Sequence, residues 1–104
     1  MSSDPQRPSV ASSRDIGDVL RRSLAPTGCV LAEEELGPEF FDLRTGLAGE
    51  LFQKIVNYRG RLAIVIRDAR VHGDRFAELA YEHRNHPAVR FFTEHTEARR
   101  WLGG

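Results

Sequence analysis

The stretch GLAGELFQKIVNYRGRLAIVI, residues 46–66, decides the fold. Leu47, Leu51, Ile55 and Tyr58 recur at helical spacing and are flanked by Ala48, Phe52 and Val56. Glu50, Gln53, Lys54 and Asn57 fall on the opposite side. This pattern predicts an amphipathic helix over 46–58 that buries one face and stops at Gly60. Glu50 and Lys54 stand four apart in the favourable order, a pair worth about 0.2–0.5 kcal/mol. The run from Leu62 to Ile66 is apolar without alternation, as in a strand covered on both faces in the middle of a parallel sheet.

Working outward, the same two signatures repeat. On the N-terminal side, Ile16, Val19, Leu20 and Leu24 form a stripe over 14–24, with Ser13 placed to cap it and Asp15 and Asp18 at the positive end of its dipole. Cys29 to Ala32 reads as a short buried strand, and Glu33, Glu34 and Glu35 as a solvated acidic exit. On the C-terminal side, Phe76, Leu79 and Ala80, with His83 at the margin, predict a helix over 74–84, broken at Asn85, His86 and Pro87. Ala88 to Phe92 is a third strand. A last helix, capped by Thr93 or Thr96, is anchored by Ala98, Trp101 and Leu102 and ends at Gly103.

Strands separated by helices call for parallel pairing through right-handed crossovers. The expected fold is a small α/β domain over 13–104, with a mainly parallel sheet of at least three strands. Residues 1–12 carry too little apolar surface to offset their ordering entropy and are expected to be a mobile tail.

Charge and cysteine usage narrow the function. Fifteen basic and fifteen acidic residues cancel, so no overall field draws nucleic acid or an anionic membrane. No apolar run approaches the roughly 18 residues of a membrane span, and the N-terminus lacks the apolar core of a signal peptide. The single cysteine, Cys29, sits in an apolar run and reads as a small buried side chain of a cytoplasmic protein.

Functional loops of open parallel sheets gather beyond the carboxyl ends of the strands, which selects 33–46, 67–74 and 93–96. The first closes on Asp42, Leu43, Arg44, Thr45 and Gly46. Asp42 and Thr45 are suited to accept from orphan amides at the helix start, where an anion could also bind. TGLAG lacks the spacing and the lysine of a phosphate-binding loop. The second loop offers Asp68, Arg70, His72 and Asp74, and the third Glu94 and His95. This mixture of carboxylate, histidine and arginine is what a solvated loop contains, so no catalytic residue or cofactor is expected, and His72, His83, His86 and His95 lack the close paired spacing of a metal site.

FFDLRTGLAGELFQKIVNYRGRLAIV resembles the signature of the bacterial domain of unknown function 4180 family, with FFDL, TGLAGE, QK, NYR and AIV at matching spacing. More loosely, the layout resembles the STAS domain of anti-sigma-factor antagonists. That resemblance implies a STAS-like fold and a non-enzymatic regulatory or protein-interaction role. Asp42 would match the Asp before the functional helix and Thr45 the phosphorylatable hydroxyl, although DLRTGL is one residue longer than the STAS pattern. Phosphorylation of Thr45 would add about 1.5–2 negative charges at a helix N-terminus. The hairpin that opens such domains is expected to be reduced or missing, leaving a sheet edge for a protein partner or for self-association. The expected contact surface comprises Asp42, Arg44, Thr45, Gly46 and Glu50, with Asp68, Arg70, His72 and His95. Two other classes stand beside it: a small-molecule or anion receptor using the strand-end crevice through Arg44, Arg70, His72 and His95, and an enzyme using Asp68 with His72 or His95.

Overall fold

Side-chain alternation along three short strands sorts the core into two layers. The computed structural model describes residues 9–103. In it β1 (Cys29–Ala32), β2 (Leu62–Val65) and β3 (Val89–Phe92) lie side by side in that order, all parallel. Register pairs Cys29 with Leu62 and Leu62 with Val89, so Cys29, Leu31, Leu62, Ile64, Val89 and Phe91 share one face. Val30, Ala63, Val65 and Phe92 share the other. Every residue of β2 is buried, as the unbroken LAIV run requires.

Five helices cover this sheet unequally. The first face receives α1 (Ile16–Ser23), α2 (Pro38–Phe41), α3 (Leu47–Asn57) and α4 (Asp74–Glu82) through Ile16, Val19, Phe40, Leu51, Ile55 and Phe76. Among the described residues the second face is covered by α5 (His95–Gly103), through Ala98 and Leu102 with Trp101 beside them. Each fully buried Leu, Ile or Phe of the first layer contributes roughly 1.5–3 kcal/mol. Arg61 ties α5 down by donating to the carbonyls of Trp101 and Leu102, and the guanidiniums of Arg61 and Arg90 each lie 4.8 Å from the Trp101 ring centroid.

Several boundaries differ from expectation. Helix α3 buries Leu47, Ala48, Leu51, Phe52 and Ile55, whereas Val56 and Tyr58 are exposed. Val56 lies about 110° round the helix from the centre of the buried arc, and Tyr58 is already the capping residue. Leu24 is likewise exposed at the end of α1. Ser13 does not cap α1: a 3-10 turn, Ser13–Asp15, precedes the helix and is capped by Ser12, whose Oγ accepts from the Arg14 amide, while Asp15 Oδ2 accepts from the amides of Ala11 and Ser12. Of the tail predicted over 1–12, residues 1–8 lie outside the described residues. Val10, however, is fully buried and forms a parallel bridge with Leu36, its amide donating to Glu35 O and its carbonyl accepting from Gly37 N. One apolar side chain and two backbone hydrogen bonds suffice to fix that short segment. Among the described residues this isolated bridge is the pairing N-terminal to α1, and no hairpin is formed there.

The acidic exit of β1 is also structured. Glu33–Glu35 form a single 3-10 turn in which Glu35 accepts from Ala32 N and Ser9 Oγ. At the other end of α3, the stop is a Schellman motif in which Arg59, not Gly60, takes the left-handed conformation (φ 63°). Gly60 N donates to Ile55 O and Arg59 N to Val56 O. Gly60 is required for a different reason: a Cβ there would overlap Ser23 Oγ, where α1 docks against the turn into β2.

Candidate functional site

The loops after β1 and β2 carry the same local device twice. Asp42 Oδ1 accepts from Arg44 N at 3.1 Å and Arg44 Nε at 3.0 Å, while Oδ2 accepts from the guanidinium at 3.1 Å. Asp68 and Arg70 repeat these contacts at 3.0, 3.1 and 3.2 Å. In each case a D-x-R sequence places the Asp before a 3-10 turn, Leu43–Thr45 or Ala69–His72, which its carboxylate caps. The bidentate fork then fixes the arginine on its own turn. Hydrogen bonding from Arg44 and Arg70 holds the Asp42 and Asp68 carboxyls below the usual carboxylate range and raises both guanidiniums. Two oriented cations therefore project from the strand ends, with side chains 90% and 82% exposed.

Thr45 is engaged internally. Its hydroxyl lies 2.8 Å from both Glu39 O and Asp42 O as donor and accepts from Leu47 N at 3.2 Å, which joins α2, the 3-10 turn and the start of α3. Gly46 follows with φ 79°, a left-handed conformation that favours glycine.

His72 closes the space between the two loops. Its ring stacks on Phe41 and Nε2 meets Glu33 Oε2 at 2.6 Å, linking the exit of β2 to that of β1. Phe76 packs edge-on against both rings. Beside them opens a cleft of about 900 Å³ whose wall includes Phe41, Asp42, Arg44, His72, Arg75 and Phe76. It has an aromatic floor and a rim of fixed charges.

The predicted site residues are therefore divided. Asp42, Arg44 and His72 meet at this cleft. Asp68 and Arg70 line a second groove, of about 690 Å³, along β3. His95 lies in a third, with Glu33, Glu34, Arg67 and Glu94. Glu50 stands in the first turn of α3 beside Gln53 and Lys54, outside these three cavities, and Thr45 and Gly46 serve the chain reversal. Asp68, His72 and His95, the residues of the enzymatic alternative, line three different cavities. Among the described residues no group of three His, Cys, Asp or Glu side chains is placed to hold a metal ion. Burial pushes the Cys29 thiol up, away from nucleophilic thiolate.

Sequence reading missed Phe41 and Phe76 as walls of the cleft and Glu33 as the partner that holds His72. The adjacent Phe40 and Phe41 were the available signal, because two large aromatics in a polar loop must find cover. Phe40 is fully buried, and Phe41 is half-buried under His72.

Fold and loops together define a small three-stranded parallel α/β domain with one cleft at the carboxyl ends of β1 and β2 and a groove along β3. The chain belongs to the domain of unknown function 4180 family, whose sequence profile matches residues 1–102. No curated protein and no solved structure matches it significantly. No helix among the described residues is long and apolar enough to cross a membrane.

Proposed function

We propose that this protein is a non-enzymatic, STAS-like contact module that recognises a protein partner through the cleft rim at Phe41, Asp42, Arg44 and His72 together with Arg70, which projects from the same 3-10 turn as His72 toward the neighbouring groove. The observation that carries this reading is the pairing of the acid–base side chains with one another. Asp42 is committed to Arg44, Asp68 to Arg70 and His72 to Glu33. A general base must reach the proton that it removes, whereas groups locked in such pairs offer a rigid pattern of charge. Exposed Val71 and Tyr81 add apolar contact area next to these turns. Cytoplasmic residence and a regulatory role belong to the same proposal.

The receptor reading retains one supporting observation, the aromatic-floored cleft edged by Arg44 and Arg75. Thermal denaturation with a panel of small anionic metabolites separates the two readings. A contact module keeps its melting temperature throughout the panel. A receptor gains stability with its ligand by linkage, and Arg44→Glu abolishes that gain.

A further inference from the structure

A groove of about 690 Å³ runs along the outer edge of β3. In the parallel register, Leu62 N donates to Ala88 O and Ile66 N to Phe92 O, which turns the backbone groups of Arg90 and Phe92 toward β2 and those of Val89 and Phe91 outward. The Val89 amide is satisfied locally by His86 Nδ1 at 3.2 Å. The Phe91 amide and carbonyl face the groove, and among the described residues no hydrogen bond to them is seen. The opposite edge is partly closed, because Glu35 Oε2 takes the Ala32 amide.

Side chains around the β3 groove give it a sign. Arg67, Arg70, Arg84 and Arg90 line it against only Asp68 and Glu97. Arg70 is held by Asp68, whereas Arg84 and Arg90 donate to backbone carbonyls and rest on Tyr81 and Trp101. Their charges are thus positioned, and among the described residues no carboxylate pairs with either. Ala77, Ala80, Tyr81 and Phe91 provide an apolar wall on the α4 side.

We infer that this groove takes an extended acidic segment of a partner protein, which adds to β3 as a fourth strand, resting apolar side chains on Ala77, Ala80 and Phe91 and directing carboxylates to Arg67 and Arg90 on the α5 side and to Arg84 at the margin of the α4 wall. Main-chain pairing with Phe91 supplies register, and the alternate side chains supply selectivity. A second copy of this chain is disfavoured as occupant, because pairing β3 with β3 would set the same arginines against one another. The inference rests on the contact-module reading and adds to it the partner's conformation and charge.

The test is a titration of the 15N-labelled protein with three blocked octapeptides: alternating glutamate and valine, alternating glutamine and valine, and the glutamate peptide N-methylated at alternate residues. The expected result is saturable binding of the glutamate peptide only, with the Phe91 amide shifted and protected from exchange. Arg67→Glu with Arg84→Glu weakens it about tenfold or more while the melting temperature is retained. If the N-methylated peptide binds equally well, or Phe91 stays unprotected, strand addition is overturned although contact through charge survives. Absence of binding by all three overturns the acidic-strand inference but leaves the strand-end contact reading to its own test. Should the double reversal unfold the protein, Arg67→Gln serves instead and is expected to weaken binding without loss of fold; unchanged affinity would overturn the charge assignment.

Discussion

His72 lies flat on Phe41, with ring centroids 3.7 Å apart and planes 6° from parallel. Because Nε2 of the same ring meets Glu33, one imidazole joins the exits of β1 and β2 and shapes the cleft between them. Replacement of His72 by Ala loses the stack, about 0.5–1.5 kcal/mol, and the part-exposed pair, about 0.2–1 kcal/mol. The expected destabilisation is about 1–2 kcal/mol by urea denaturation. His72→Phe retains the stack and recovers most of that loss; no recovery would show that the pair dominates.

Arg59 occupies a left-handed position at the end of α3, a conformation that costs a non-glycine residue roughly 1–2 kcal/mol. Arg59→Gly relieves this cost at some expense in chain entropy, so a net gain of about 0.5–1 kcal/mol is expected. The neighbouring change Gly60→Ala acts in the opposite direction. Its Cβ would overlap Ser23, with an expected loss of about 1–3 kcal/mol. Thermal melts of the two variants should fall on opposite sides of the wild type.

The Thr45 hydroxyl bridges two carbonyls and one amide, so its chemistry is testable by graded substitution. Thr45→Ser retains these bonds and is expected to be nearly neutral, whereas Thr45→Val should cost about 1–2 kcal/mol. Thr45→Glu, which brings a carboxylate toward the Glu39 and Asp42 carbonyls, should melt below Thr45→Ser. A phosphomimetic at or above wild-type stability would favour a phosphorylation switch at this residue.

His86 gives a pH signature. Burial, with the neighbouring His83 and Arg90 charges, lowers its pKa below the ordinary 6.5. The neutral ring accepts from the amides of Ala88 and Val89 through Nδ1. Since the unfolded chain binds the proton more readily, this contribution is fully present above about pH 6.5 and is lost as pH falls through the lower folded value. His86→Ala should be less stable than wild type at pH 7.5, and the difference should shrink toward pH 5. A constant difference between those pH values would contradict the assignment.

Much of the fold was legible because its elements obey simple periods. LAIV is unalternating and becomes the central strand; Leu47, Leu51 and Ile55 repeat at helical spacing and become the core face of α3. Local pattern failed where tertiary contact decides. Val10 is a lone apolar residue in a polar segment, and only its pairing with Leu36 explains its burial. The candidate site was half legible. Asp42 and Asp68 carry a local capping pattern, but the stacking of His72 on Phe41 joins residues 31 positions apart in the chain, and no spacing rule reports such a contact.

Site-specific photo-crosslinking in the native host tests the central claim most directly. A photoreactive residue at Arg44 or Val71, on the strand-end surface, should trap one and the same protein, while the same residue at Gln53 on the outer side of α3 traps none. Equal crosslinking at all three positions, or none at Arg44 and Val71, would contradict a contact module acting through the strand ends.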